Sequence, residues 1–454
     1  MRLLLVTAIL LLSNAVLAES RVQETMLDNG MKIIVKEDHR APIMVSQVWY
    51  KVGASYEPDG ITGISHALEH MMFKGTALHP PGQFSRIIAQ NGGTENAFTG
   101  RDYTAYFQTM SSDRLEIALE LEADRMRHLT LPADEFAKEI EVVKEERRLR
   151  TEDKPTGQVY EQFSALAYRS LPYANPVIGW MNDLENMKIE DLADWYRLWY
   201  APNNATLVVV GDVKPEAVFS LAKQYFGPLK REAIPKLKPL REPQQKGETR
   251  SVVKVPANEP YMIMGFKTPA VTTAEKRWEP YALEMLVAVL DGGNSARFSK
   301  HLVRGSEIAV SAGAEYNAFT RLPGMLLIDG TPAQGRTMQE LESALRQEIV
   351  RLRSELVTEE ELDRVRTQVI ASKVFELDSV FYQAMEIGML ETVGLDWRLI
   401  DQYVAALKQV TPEQVREVAE RYLVDDNLTI TQLEPLPMDN VKPVRRATGG
   451  RHGG

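Results

Sequence analysis

The chain has 454 residues, too many for one ordinary core, and the length points to two or three domains. Hydrophobic residues make up 44% and charged residues 26%, globular values that exclude general disorder and a fibrous repeat. With 53 Lys+Arg against 63 Asp+Glu the net charge is -10, and an acidic chain without a basic block is a poor candidate for nucleic-acid binding. Cysteine is absent, which removes disulfide scaffolds, thiolate metal sites and cysteine nucleophiles together. Histidine numbers only 7, so any histidine cluster carries information.

At the amino terminus, Met1-Arg2 gives a positive start and Leu3 to Leu12 is almost wholly apolar. Val16-Leu17-Ala18 supplies the cleavage positions, so residues 1–18 read as a secretory signal peptide cut after Ala18. The alternative, an uncleaved anchor, needs an apolar stretch of roughly 20 residues to span a bilayer, and this one is shorter. An exported chain without cysteine fits a periplasmic location.

The first body of the chain spans 19–227. Residues 31–37 and 43–53 read as two strands, and a helix is expected from about Thr62 to Lys74, closed by Gly75. Asp102 to Met110 alternates as a strand, and 113–129 and 134–150 carry the period of amphipathic helices. Helix 189–200, the buried strand 205–212 and helix 214–226 complete this part. Residues 228–250 are rich in Pro, Lys and Arg without periodicity and read as a linker.

The same grammar then repeats over 251–435. Strands at 251–255 and 261–267 precede a helix at 279–290, strands near 308–313 and 324–329, and helices at 336–355 and 358–375. Ser65–Met71 even returns in part as Pro280–Leu286, sharing Ala-Leu-Glu, with Tyr281 and Met285 where the first copy has histidines. The expectation is an α+β protein of two halves related by duplication. The tail at 436–454 has no pattern and reads as disordered.

The chemistry centres on His66-Ala67-Leu68-Glu69-His70. Positions four apart share a helix face, so His66 and His70 can offer imidazole nitrogens to one ion. Glu69 lies close to that face but offset from it. Two neutral imidazoles suit zinc, which at a catalytic site takes a third protein ligand and keeps a position for water. A carboxylate just outside the ligand set can accept that water's proton. The third ligand is expected from helix 134–150, which carries Glu135, Glu139, Glu141, Glu145 and Glu146. Glu139 and Glu146 lie two turns apart beside the apolar stripe of Ile140 and Val143, so one can ligate while the other supports it. Spacing alone does not separate Glu146 from Glu145.

The His66–His70 arrangement, the stretch GGTENAFTGRDYTAYF at 92–107 and WYAPNNATLVVVGDV at 199–213 resemble the M16 family of zinc metallopeptidases, through nearly the whole mature chain. The resemblance implies one zinc held by His66, His70 and Glu146, with Glu69 and Glu139 as the catalytic carboxylates, Glu139 in a supporting role. It implies an edge strand near Asn96 and Ala97 that binds extended peptide by strand addition.

The second half departs from that family. Where catalytic members carry an Arg and a Tyr seven apart that reach the substrate carbonyl, this chain has Val303 and Val310. Isopropyl groups cannot stabilise an oxyanion. Either another residue such as Arg304 or Tyr316 substitutes, or a paralogous chain supplies the pair in a heterodimer, with a homodimer as the alternative assembly. The reading is a periplasmic zinc endopeptidase whose two α+β halves face each other as a clamshell around a peptide chamber, which favours unfolded peptides. A non-catalytic structural subunit of the same fold is the competing reading.

Overall fold

The computed structural model describes residues 22–438, so the expected signal peptide and all of the expected tail beyond Met438 lie outside the described residues. The first sheet contains β1 (Val22–Met26), β2 (Lys32–Glu37), β3 (Ile43–Tyr50), β4 (Thr94–Thr99), β5 (Thr104–Ser111) and β6 (Ala205–Gly211). Its helices are α1 (Ile64–Met71), α2 (Gln83–Gln90), α3 (Leu115–His128), α4 (Ala133–Arg147), α5 (Pro155–Ala167), α6 (Met181–Asn186), α7 (Ile189–Trp199) and α8 (Pro215–Tyr225). The second sheet contains β7 (Thr249–Pro256), β8 (Tyr261–Thr268), β9 (Ala309–Tyr316), β10 (Gly324–Pro332) and β11 (Leu428–Leu436). With it come α9 (Glu279–Asp291), α10 (Met338–Ser354), α11 (Glu359–Glu376), α12 (Val380–Thr392), α13 (Leu399–Lys408) and α14 (Pro412–Tyr422).

The strand orders are β1-β2-β6-β3-β5-β4 and β7-β11-β8-β10-β9. Without the extra edge strand β1 the two patterns coincide. In each, the last strand returns to lie parallel to the first and antiparallel to the second. The duplication read from element order is therefore present in the topology. The strand β6 is buried along its whole length, which explains its unbroken Ala-Thr-Leu-Val-Val-Val run: neither face meets water. Residues 229–248 form neither helix nor strand. They are pinned where Glu242 accepts the N–H groups of Arg169, Ser170 and Leu171 and pairs with Lys267 at 2.9 Å.

The sequence reading lacks β1, α2, α5, α6, the whole run from α12 to α14, and β11. Two of these explain how the halves are joined. The helix α5, from the first half, packs on β7, β8 and β11 of the second sheet, burying Val159, Phe163 and Ala167 against Ile263 and Leu433. The helix α12, from the second half, packs on β3 and β6 of the first sheet, burying Ala384 and Ile387 against Ile34, Val45, Trp49 and Val208. The halves thus exchange helices. Each fully buried large apolar side chain contributes about 1.5–3 kcal/mol to that grip. At both contacts a glycine admits an aromatic ring. A Cβ on Gly388 of α12 would lie 2.1 Å from the Trp49 indole, and one on Gly265 of β8 would lie 2.3 Å from Phe163.

A cross-half latch adds to this. Arg321, in the turn between β9 and β10, donates from its backbone N–H and its guanidinium to Asp102 and from its guanidinium to Ser55, and lies 4.3 Å from the Tyr56 ring centroid. The described residues contain no helix long and apolar enough to cross a membrane.

Candidate metal centre

The helix α1 begins after Gly63, whose backbone is left-handed (φ 84°) and passes so close to Ile178 that a Cβ there would lie 2.4 Å from its carbonyl oxygen. No residue of the helix itself caps it. Glu57, buried in the preceding loop, accepts the N–H groups of Gly63 at 2.7 Å and Ser65 at 2.8 Å. Asp183 accepts the N–H and hydroxyl of Thr62 one residue earlier. Two buried carboxylates thus satisfy the open amides at the positive end of the helix. Burial pushes the Glu57 carboxyl up to about 7, against the pull of the two N–H groups.

One turn further on, His66 and His70 lie with ring centroids 4.9 Å apart. The helix α4 crosses them and brings in Glu146. Its Oε2 lies 3.6 Å from His66 Nε2 and 3.5 Å from His70 Nε2, while its Oε1 accepts from Arg150 at 2.7 Å. A tetrahedral zinc at ordinary ligand distances sets its donor atoms about 3.3 Å apart, so Glu146 stands within a few tenths of an ångström of that spacing from each imidazole, and all three donor atoms lie within 4.8 Å of one another. They form the one such group of three His, Cys, Asp or Glu side chains among the described residues.

The electrostatics agree with this donor set. Burial, with the neighbouring His70, drives His66 down to about 3, so its ring is neutral and carries a lone pair. Burial also disfavours charge on His70, but hydrogen bonds to Glu139 and Glu146 outweigh it and lift His70 to about 9. Glu146 is also opposed by burial, yet the two histidines and Arg150 pull it down to about 2.

Glu139 lies 3.2 Å from His70 Nδ1, and its other oxygen accepts from Lys74 at 2.6 Å. It orients the imidazole so that Nε2 faces Glu146. Glu145, the rival ligand, is 60% exposed in its side chain and pairs with Arg148, while Glu146 is 22% exposed. Glu69 does not join the ligand group. Its carboxyl accepts the Thr99 hydroxyl, and burial raises its pKa. Thr99 ends β4, an edge strand paired only with β5. Asn96 and Ala97 lie on that strand, and the Asn96 side-chain oxygen accepts the Ala97 N–H at 2.9 Å.

In the second half, Val303 is partly buried against the core, and Val310 is 58% exposed on the edge strand β9. Arg304 donates to the carbonyls of Asn294 and Ser299, and Tyr316 donates to that of Pro269. Sequence reasoning missed Glu57, Asp183, Thr99, Lys74, Arg150 and Arg321. Only Lys74 and Arg150 carried a signal, since each follows a residue of the group, His70 or Glu146, by one helical turn.

Residues 32–180 match the profile described as Insulinase (Peptidase family M16), and residues 186–369 match Peptidase M16 inactive domain. The zinc protease PqqE of Helicobacter pylori is 35% identical over 424 residues, covering 91% of this chain and 93% of that one. The chain belongs to peptidase family M16. A crystal structure of a protease from Helicobacter pylori superposes on this M16 chain with a TM-score of 0.86 at 30% identity, covering 92% of this chain and 100% of that one. The periplasmic protease PqqL from Escherichia coli shares the fold, with a TM-score of 0.77 at 18% identity, covering 91% of this chain but 47% of that one.

Proposed function

We propose that this chain is a zinc-dependent endopeptidase for extended or unfolded peptides, and the zinc-bearing member of a two-chain enzyme. The observation that carries the reading is Glu69, a buried carboxyl on the helix of His66 and His70 yet outside the group they form with Glu146. His66, His70 and Glu146 would hold the zinc. When bound, the metal supplies Lewis-acid polarisation of a water and of the scissile carbonyl. Glu69 accepts the proton of the attacking water and passes it to the leaving amine; its raised pKa suits a group that must take up a proton and release it. Glu139 keeps the His70 ring in place. The edge strand β4 holds the peptide backbone, with Asn96 and Ala97 at the contact, which gives grip with little sequence selectivity. A structural-subunit role would leave this geometry without a use.

The partner is inferred from what the second half lacks. Val303 and Val310 offer no donor to an oxyanion, and the side chains of Arg304 and Tyr316 are committed to carbonyls of their own half. PqqL has the length for a second such unit in one chain, which supports pairing with a paralogue here. A chamber closed by that partner would admit flexible chains and exclude folded ones. The expected signal peptide and the printed location of PqqL support a periplasmic site of action.

The test is to load the purified chain with zinc and assay it on unstructured peptides, alone and with a paralogue carrying Arg and Tyr seven residues apart. The chain alone should be about 10²–10³-fold slower, as for loss of an oxyanion donor. In the mixture, Glu69→Gln should retain its zinc and lose roughly 10²–10⁴-fold in rate. Strong turnover by the isolated chain, unchanged by the paralogue, would sink the two-chain part. Loss of zinc from the Glu69 variant would sink the role given to that residue.

A further inference from the structure

A cavity of about 360 Å³ lies at the seam of the two halves, between the β4–β5 turn, α5 and the β9–β10 region. Five of its lining residues are tyrosines, Tyr103, Tyr160, Tyr168, Tyr173 and Tyr316, and among them stands Arg101. Arg101 is half-buried, and among the described residues no carboxylate pairs with it. Its guanidinium donates to the Tyr160 hydroxyl at 3.2 Å and lies 5.2 Å from the centroid of the Tyr173 ring.

The acids nearby do not answer this charge. Asp102 Oδ1 accepts from the Ser55 hydroxyl at 2.6 Å and Arg321 Nε at 3.3 Å, while Oδ2 accepts from the Tyr173 hydroxyl and the Arg321 N–H. Glu315 lies exposed on the rim, without an ion pair among the described residues. The same cavity is lined by Ser164, 5% exposed, whose hydroxyl is buried and has no hydrogen-bond partner. A partly desolvated cation and an unanswered hydroxyl in one aromatic cavity both cost free energy that a bound group can return.

We propose that this cavity binds a carboxylate carried on an aromatic or apolar body, with the carboxylate against Arg101 and Ser164 and the body among the tyrosines. A guanidinium offers a planar fork matched to a carboxylate, and aromatic walls favour a ring or a branched side chain. The volume lies in the range of small-ligand sites and suits one residue-sized group. Such a group is either the C-terminal residue of a peptide or a free aromatic acid. The inference stands apart from the peptidase reading, and its test needs no turnover.

The test is calorimetric titration of the full chain, zinc-loaded and chelator-treated, with N-acetylphenylalanine, its amide, and a pentapeptide ending in Phe with a free or amidated C-terminus. Both free acids, or the peptide acid alone, should bind about tenfold or more tighter than their amides. The affinity should be the same with and without zinc, which separates this cavity from the metal centre. Equal binding by the small acid and the peptide acid identifies a site for free acids; binding by the peptide acid alone identifies a site for peptide ends. Arg101→Gln should remove the preference for acid over amide, and Ser164→Ala should weaken the acid about threefold. Should Arg101→Gln fail to fold, Arg101→Lys keeps the charge without the fork and should still reduce the preference. The proposal is overturned by equal binding of acid and amide, by an acid preference unchanged in the folded Arg101 variant, or by no acid binding at millimolar concentration.

Discussion

Trp49 lies against Gly388, its indole filling the space where any other residue at that position of α12 would carry a side chain. The ring is fully buried, donates to Gln47 at 2.9 Å, and meets Phe98 and Tyr103 edge-on at 5.3 and 5.1 Å. It is the point at which the second half of the chain closes over the first sheet.

Gly388→Ala should therefore be destabilising even though alanine is the better helix former. The added methyl would sit 2.1 Å from the ring, and overpacking of this kind costs about 1–3 kcal/mol. Urea unfolding reads the difference. An alanine variant as stable as the native chain would mean that α12 does not rest on Trp49.

At the metal centre the contrast between neighbours is the informative one. Glu146→Gln should lose most of its copurifying zinc, because Oε2 faces both imidazoles. Glu145→Gln should keep its zinc, since Glu145 points to solvent and Arg148. Metal analysis of both variants decides, and equal losses would remove Glu146 from the ligand set. Glu139→Gln should fall between them, with zinc affinity reduced roughly 10–100-fold.

Glu57 touches no ligand, but it caps the helix that carries two of them. Glu57→Gln replaces one of its two acceptor oxygens with an amide that cannot accept, leaving the N–H of Gly63 or Ser65 unanswered. The expected cost is about 1–3 kcal/mol in stability, with a several-fold weaker hold on zinc in a chelator competition. If both measurements match the native chain, the cap has no bearing on the site.

Much of this was legible in the sequence, and the division follows the range of the interactions. His66, Glu69 and His70 are related by one turn of one helix, so spacing alone places them together. The strand β6 was legible because an unbroken β-branched run has few other uses. Glu146 was narrowed to a helix by period, and its separation from Glu145 came from family resemblance. Glu57 and Arg321 lie in loops, where no period marks a residue, and the partners of Arg321 lie in the other half of the chain. The helix α12 escaped because it buries residues on several sides, including Gln383, Glu386 and Glu391, and so shows no clean apolar stripe. Residues 102 and 103, read as strand, form the tight turn before β5 instead, held by the Arg321 latch.

Glu284 gives a pH-dependent prediction in the other half of the chain from the candidate metal centre. It stands at the place in α9 that Glu69 holds in α1, but it is buried beside Tyr403 and Lys373, and burial raises it to about 7. A carboxyl raised above its unfolded value is protonated in the native state while the unfolded chain has already lost the proton. Its contribution is fully present below about pH 4.5 and is lost as the pH climbs towards 7, on the order of 3 kcal/mol in all. Glu284→Gln, always neutral, should melt at a higher temperature than the native chain at pH 8, with the gap closing by pH 4.5. Melting curves at the two pH values check this, and a gap of equal size at both would sink it.

The exchanged helices α5 and α12 carry one more consequence. A protease nick anywhere in residues 229–248 would break the only stretch of backbone that passes from one sheet to the other, yet the two fragments would not come apart. Each would still have an arm clasped in the other's interior, and separating them would expose Phe163 and Trp49 on the first fragment and Ile263 and Ile387 on the second. Either fragment made alone would leave that apolar surface open to water, so the two halves are expected to unfold in a single transition.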